Sequence, residues 1–528
     1  EQTPRSFEIT LDRSPSSMLA LRLFNKVSRA TAQILYLFKE IEAVDTTVFE
    51  EMLNHCFPQS YLADQVRRIA QLPGFYRDQS TRFDNLLESG YGLYEIEDLQ
   101  QVTDKEEVRF RHYAIHTTPE KVLLGLAQKN LVFGLSATAD LPRFIKHFNE
   151  HWLRKQLLAT ESARYFAVEE DDERIIQACN ADKLAARRND LEVVLLGDLS
   201  SSPHGKEYDV YIKQVAKHFP DGFGADDPNG YRRQRVERFF AAVLSLMQTR
   251  TAEQLATDTH LFFYTTFAQI RFIFATPATH RQALFQITKI DDDDQFLAYR
   301  LQIAEQAFIV VFYDAAQANY IHSDDQVKQR YHQLFWQGLP VLLLTQYTSA
   351  GNGVNLQYPP SPDTETDFRN VHLMEAPFYF FDEINPRTQT SQEISTAIKK
   401  NIWYQAKLFE AKVISAERFF GVLENLRNDR SNTEYRSGRN VELQADSLKN
   451  RVATYIQALG RIERVWTEMP TQTIFLAEDV FDDFARFVQD EAFSHLHQAR
   501  RGRLSSNLAR MMDQIEQMVA TRAKVARR

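Results

Sequence analysis

The feature that most constrains this chain is a series of short apolar runs between residues 190 and 480, separated by helical stretches. The runs 193–196, 261–264, 308–312, 341–344, 372–374 and 473–476 are too short for core helices. They are also too continuous to alternate between core and solvent. Such runs suit strands buried on both faces, as in a parallel sheet covered by helices. Strand and helix alternate, so the sequence predicts an α/β layer with a parallel sheet.

Composition narrows the class. Apolar residues make up 44% and charged residues 25% of the 528, values that exclude a disordered or collagenous chain. At about 150 residues per domain this length suggests three to four domains. No run of about 18 apolar residues occurs, so no membrane-spanning helix is expected. Two cysteines, Cys56 and Cys179, exclude a four-thiolate metal centre and a disulfide scaffold, and suggest a reducing cytoplasm. The net charge of −9 rules out nucleic-acid binding by bulk positive charge, leaving such contacts to local patches. The tail 498–528 is one such patch: Arg500, Arg501, Arg503, Arg510, Arg522, Lys524, Arg527 and Arg528 stand against Asp513 and Glu516. It reads either as a solvated helix or as a phosphate-contacting arm.

Residues 14–43 (capped by Ser14 or Ser16 beside Pro15), 45–72 and 81–100 read as helices, making 1–118 a mostly helical unit. A helix over 119–128 opens with Pro119 in its first turn. The run 131–135 then reads as a buried strand, followed by a helix over about 141–158. The acidic runs 169–173 and 291–294 read as exposed loops. A helical insertion spans 390–427, with Ile394, Ile398, Ile402, Phe409 and Val413 on one face. Next to that face Lys399, Lys400, Trp403, Tyr404 and Lys407 interleave basic and aromatic residues. That strip suits stacked bases, or an amphipathic helix with snorkelling lysines.

Three segments carry chemistry. The first is Leu135-Ser136-Ala137-Thr138 at the end of an expected strand, where small hydroxyl residues can relay hydrogen bonds to a neighbouring domain. The second is the loop after the run 341–344, with Thr345, Thr348, Ser349, Gly351, Gly353 and Asn355. Its glycines permit close backbone approach, its hydroxyls can donate to phosphate, and Asn355 can orient the loop or meet a nucleotide. Loops at the carboxyl ends of parallel strands are where α/β sheets bind ligands. The third is Gln457-Ala-Leu-Gly460-Arg461-Ile-Glu-Arg464, in a helical stretch beginning near Ser447. Its two arginines share a helical face and suit a triphosphate. Gly460 is unfavourable inside a helix, so close approach of another group is the expected reason for it.

In this order the segments resemble motifs III, V and VI of superfamily 2 helicases, over roughly residues 119–480. His260-Leu-Phe-Phe-Tyr-Thr265-Thr-Phe267 sits where motif IV would begin a second domain. The Gln-Ala-Leu-Gly-Arg run resembles the branch related to nucleotide-excision-repair helicases, whereas the 350–356 loop looks more like the chromatin-remodelling translocases. The iron–sulfur cysteines of many repair-type relatives are absent. The resemblance implies RecA-like parallel-sheet domains with large helical insertions, closing on ATP and Mg²⁺ to move along DNA. It divides the chain into a helical insertion (1–118), the end of a first RecA-like domain (119–165), a second RecA-like domain (166–480) and a basic helical segment (481–528). It implies that Arg464 is the arginine finger, supported by Arg461, with Gln457, Gly460 and Asn355 near nucleotide. Ser136, Ala137 and Thr138 would couple hydrolysis to movement. Thr265, Thr345, Thr348, Ser349, Gly351 and Gly353 would grip nucleic acid. Both repair and antiviral defence, with a protein partner, are compatible with it.

Two parts of an ATPase are missing from the sequence. No Gly-Lys-Ser/Thr occurs: Gly205-Lys206 is followed by Glu207. No Asp-Glu pair ends a strand before Ser136, and Asp382-Glu383 lies on the wrong side of motif V. The expectation is therefore that the chain is the C-terminal part of a longer helicase, with Mg²⁺ ligands in the other part, and does not hydrolyse ATP alone. The competing reading is a non-catalytic helicase-like scaffold. His495 and His497 do not share a helical face, so no metal site is expected there.

Overall fold

The computed structural model describes residues 45–56, 63, 67, 91–98, 108–115, 117–133, 143, 148–159, 166, 169–187, 190–218, 230–291, 293, 295–350, 356–362, 364–377, 402–412, 414–415, 418–419, 441–464, 471–489 and 506–526. The chain divides into two compact units: 1–133 with 142–165 and 381–444, and 134–141 with 166–380 and 445–528. These units cut across the boundaries expected from sequence. The insertion at 390–427 falls in the first unit, and the basic tail falls in the second.

In the first unit lie α1 (Thr46–Cys56), the antiparallel hairpin β1 (Tyr91–Asp98) and β2 (Val108–Ile115), α2 (Pro119–Ala127), α3 (Glu150–Leu158) and a helix over 402–410. The hairpin corrects the helical reading of 81–100 and adds strands that the mostly helical reading of 1–118 did not anticipate. Tyr91-Gly-Leu-Tyr and the Phe-Arg-His-Tyr of β2 carry aromatic residues that favour strands. Helix α2 begins as expected, with Thr118 Oγ1 accepting from Lys121 N at 3.1 Å and Pro119 in the first turn. The strand expected at 131–135 is not seen where it is described: Leu131, Val132 and Phe133 lie outside any strand and are exposed. An apolar run becomes a buried strand only when its backbone finds a pairing partner.

Buried charge organises this unit. Glu120 is fully buried, and its Oε1 lies 3.1 Å from the Lys407 ammonium and accepts from Asn149 N at 3.0 Å. Asn149 in turn caps α3 by accepting from Trp152 N. Lys407 is thus neither a base-stacking neighbour nor a snorkelling lysine, because its charge is spent on a carboxylate in the core. Trp403 is buried too. Lys399, Lys400, Ile394, Ile398 and Val413 lie outside the described residues.

The second unit is an α/β layer around an eight-stranded, mostly parallel sheet, consistent with a RecA-like fold. Its strands are β3 (Leu191–Leu195), β4 (Thr259–Tyr264), β5 (Gln286–Lys289), β6 (Ala298–Ile303), β7 (Gln306–Tyr313), β8 (Val341–Gln346), β11 (Asn370–Leu373) and β12 (Gln472–Leu476). A small hairpin of β9 (Tyr358–Ser361) and β10 (Thr364–Thr366) stands apart from the sheet. The sheet order is β3-β12-β11-β4-β8-β7-β6-β5. Strands β3 to β7 in that order run parallel, and β6 and β5 add antiparallel pairs at one edge. All six apolar runs are strands of this sheet. The edge strand β5 escaped notice because it alternates exposed and half-buried residues, so its sequence carries no continuous apolar run.

Successive side chains fall on opposite faces. Leu261, Phe263, Ile309, Val311 and Leu343 join one core, and Phe262, Tyr264, Phe308, Val310 and Leu344 the other. Helix α4 (Glu170–Arg187) precedes the sheet. Its first turn holds the acidic run read as a loop, where carboxylates are favoured by the helix dipole. On one face pack α5 (Gly205–Val215), α6 (Tyr231–Thr249) and α8 (Ala268–Ala275), with the short α7 (Ala252–Thr257) leading into β4. On the other pack α9 (Ala315–Ser323), α10 (Asp325–Leu334), α11 (Val441–Leu459), α12 (Glu478–Gln489) and α13 (Ser506–Ala526).

The tail helix α13 is part of this core. Met511, Met512 and Ile515 are buried. The Gln514 side chain accepts from Val193 N at 2.8 Å and donates to Leu191 O at 2.6 Å, covering the free edge of β3. Arg522 lies over the Phe481 ring at 4.8 Å. The described part of the tail is therefore a docked helix rather than a free arm. The second acidic run behaves as a loop: Asp291 and Asp293 hold Arg330 at 2.6 and 3.0 Å. Among the described residues no helix is long and apolar enough to cross a membrane.

Candidate functional site

The described site residues of the second and third sequence segments fall at the two ends of the parallel strands. At the amino end, α11 stops at Leu459, and Gly460–Ile462 forms a single tighter turn. Gly460 is therefore not in a helix interior. It is exposed, and a Cβ there would meet nothing within 4 Å among the described residues, so no close approach explains it. Arg461 turns inward and is only 3% exposed, whereas Arg464 is at the surface. Asp367 Oδ2 accepts from Arg464 N at 2.7 Å, and Gln472 Nε2 donates to Ile462 O at 3.1 Å. The Lys183 ammonium donates to Glu463 O. These contacts anchor the backbone of the turn while the two guanidiniums face each other's field. Burial, and then Arg464, push Arg461 down to about 10. Gln457 sits half-buried one turn earlier on α11.

At the carboxyl end the chain leaves β4 through Thr265, β8 through the one-turn helix Tyr347–Ala350, and β11 through Glu375. Helix α8, after β4, packs on one face of the sheet, whereas Tyr347, after β8, packs on the other. Adjacent strands whose connections part to opposite faces leave a crevice between them. Thr348 is exposed there and Ser349 half-buried, its Oγ 3.3 Å from Gln346 Oε1. Thr345 is different. It is wholly buried, and its hydroxyl donates to Tyr313 O at 2.8 Å, which joins β8 to β7 and leaves nothing for a phosphate. Ser136, Ala137, Thr138, Gly351, Gly353 and Asn355 lie outside the described residues.

Sequence reasoning missed the group that shapes this crevice. Glu375 is buried and takes Arg235 Nε on both oxygens at 2.8 and 2.7 Å. Its Oε1 also accepts from Thr265 N at 2.7 Å, and its carbonyl accepts from Tyr347 Oη at 3.0 Å. One residue thereby ties the ends of β4, β8 and β11 to α6. Arg238 donates to Met374 O at 2.7 Å and pairs with Asp479 at 3.1 Å, extending the tie to α12. The signal was present. Arg232, Arg233, Arg235 and Arg238 crowd the first turns of α6, where the helix dipole disfavours cations.

A second missed group lies inside the amino end. His260 Nδ1 and His372 Nε2 are 3.0 Å apart and wholly buried, and His372 is stacked between Phe262 and Phe475 at 4.0 and 4.2 Å. Asp258 Oδ2 stands 3.9 Å from His260 Nε2. Burial pushes His260 down to about 3 and His372 well below the usual histidine range, so both are neutral and one donates to the other.

Gly205, in the Gly-Lys pair that Glu207 rather than Ser or Thr follows, has a packing role. It opens α5 against the Leu199 carbonyl, and a Cβ there would collide with it. The described residues supply two arginines suited to a triphosphate. Among the described residues no cluster of three or more His, Cys, Asp or Glu side chains is placed to hold a metal ion. No family model matches the chain, and no curated protein matches it.

Proposed function

We propose that this chain supplies the second RecA-like domain of an ATP-dependent superfamily 2 helicase or translocase that moves along DNA. Arg464 is then the finger that meets the γ-phosphate, with Arg461 behind it. The observation that carries the reading is the placement of a like-charged arginine pair on an anchored turn at one end of the strands, with the hydroxyl-bearing loops at the other. In this reading the arginine turn lies at one end of the strands and exposed Thr348 at the other. Charge developing on a transferred phosphoryl group is an anion that guanidinium groups stabilise. In this chain Asp367, Gln472 and Lys183 fix the backbone of the turn that carries Arg464. ATP and Mg²⁺ supply the phosphoryl chemistry when bound.

The test is Arg464→Ala in the intact gene product. ATP turnover falls by about 10³-fold, the lower range for loss of an arginine finger, while nucleotide binding remains measurable. Unchanged turnover removes Arg464 from the role. An intact product with no turnover at all favours the non-catalytic scaffold.

A further inference from the structure

We propose that Arg235 is a ligand for a backbone phosphate of the nucleic acid, in the crevice walled by Thr265 and Thr348; the inference rests on the nucleic-acid reading above. Arg235 is more than nine-tenths buried, yet it meets Glu375 through Nε alone. Its two terminal nitrogens have no partner among the described residues. A guanidinium held by its inner nitrogen presents the outer pair as a fork, which matches two oxygens of a phosphate.

The neighbours are donors of the right kind. Thr265 N and Arg235 Nε meet on the same oxygen of Glu375, so the guanidinium and Thr265 lie side by side. Thr265 Oγ1 is buried without a partner among the described residues. Tyr264 Oη, wholly buried next to it in sequence, is in the same state. The bond from Tyr347 Oη to Glu375 O fixes the turn that carries exposed Thr348. Glu375 and Asp479 answer Arg235 and Arg238 one for one, and the amino end of α6 adds the partial positive charge of its dipole. Glu375 is then a positioning residue: it aims the fork of Arg235 and holds the Thr265 backbone beside it. The open Arg235 fork and the partnerless Thr265 hydroxyl beside it are donors that a phosphate's oxygens would complete.

The experiment measures binding of a fluorescein-labelled oligodeoxythymidine by anisotropy over a series of salt concentrations. The chain is compared with Arg235→Met/Glu375→Leu, which removes the pair together and leaves neither charge buried alone. The expected result is weaker binding in a folded variant, with the slope of log K against log salt shallower by about 0.7, one phosphate contact on a single strand. Weaker binding with an unchanged slope, or unchanged binding, overturns the assignment. If the double variant does not fold, Arg235→Lys decides: its single ammonium stays on Glu375, and the same loss of slope is expected. An unchanged slope there overturns the assignment. No binding by the parent chain, by contrast, overturns the nucleic-acid reading itself.

Discussion

Acid should weaken the central sheet through two histidines. His260 and His372 lie on adjacent strands and are held neutral by burial, whereas the unfolded chain protonates them near the ordinary value of 6.5. Below that value the unfolded state binds more protons than the folded state, so stability falls as pH falls, and continues to fall toward the folded-state values. Between pH 7.5 and 5.0 each histidine costs about 2 kcal/mol by linkage, or about 4 kcal/mol for the pair. Asp258 acts in the opposite sense. Burial raises its carboxyl despite Arg250, Arg369 and Asn370, so the fold takes up its proton first and part of the loss is recovered at lower pH. His372→Phe keeps an aromatic ring between Phe262 and Phe475 and removes one of the two titrating groups. It leaves His260 Nδ1 without its partner, costing about 1–3 kcal/mol at pH 7.5. The loss between pH 7.5 and 5.0 should then halve, to about 2 kcal/mol. Urea unfolding at several pH values, with hydrogen exchange of the β4 and β11 peptides marking the transition of this sheet, reads the change. A stability that is flat from pH 7.5 to 5.0, or a pH dependence unaltered in His372→Phe, would refute the reasoning.

Other variants separate packing from function. Gly460→Ala should be neutral or stabilise by about 0.4–1 kcal/mol, because the site is open and its φ is not positive; a loss above about 1 kcal/mol in chemical unfolding contradicts this. Lys407→Met leaves Glu120 buried without its cation and should destabilise the first unit by about 3–5 kcal/mol. Retention of the parent melting profile would show that the pair is not intact in solution. Ile515→Ala, in the tail helix, should cost the second unit about 2–5 kcal/mol. A change in the salt slope of DNA binding with no loss of stability would instead restore the free-arm reading of the tail.

The parallel layer was legible because strands buried on both faces must be apolar throughout, and Leu261–Tyr264 or Val341–Leu344 can hardly be anything else. Half-exposed elements were not legible. The edge strand β5 has no continuous apolar run, and β1 was read as helix where charged and aromatic residues mix. Polar residues misled for a related reason. Thr345 looks like a phosphate donor and Lys407 like a surface cation, but their partners, Tyr313 O and Glu120, come from segments far away in sequence. The Arg235–Glu375 tie spans 140 residues, and the His260–His372 pair 112, so local spacing carries no trace of either. The Gln457–Arg464 segment was found because its residues are close in sequence.

The account turns on two sites that can be disabled separately. ATP turnover of the intact product, measured with and without single-stranded DNA for Arg464→Ala and Thr348→Glu, tests this directly. The account predicts that Arg464→Ala lowers turnover about 10³-fold under both conditions while DNA affinity is kept. Thr348→Glu, which sets a carboxylate against the track, should keep basal turnover and lose its stimulation by DNA. If Arg464→Ala leaves turnover intact, or if both variants lose both functions together while remaining folded, the two-ended arrangement of the domain is contradicted.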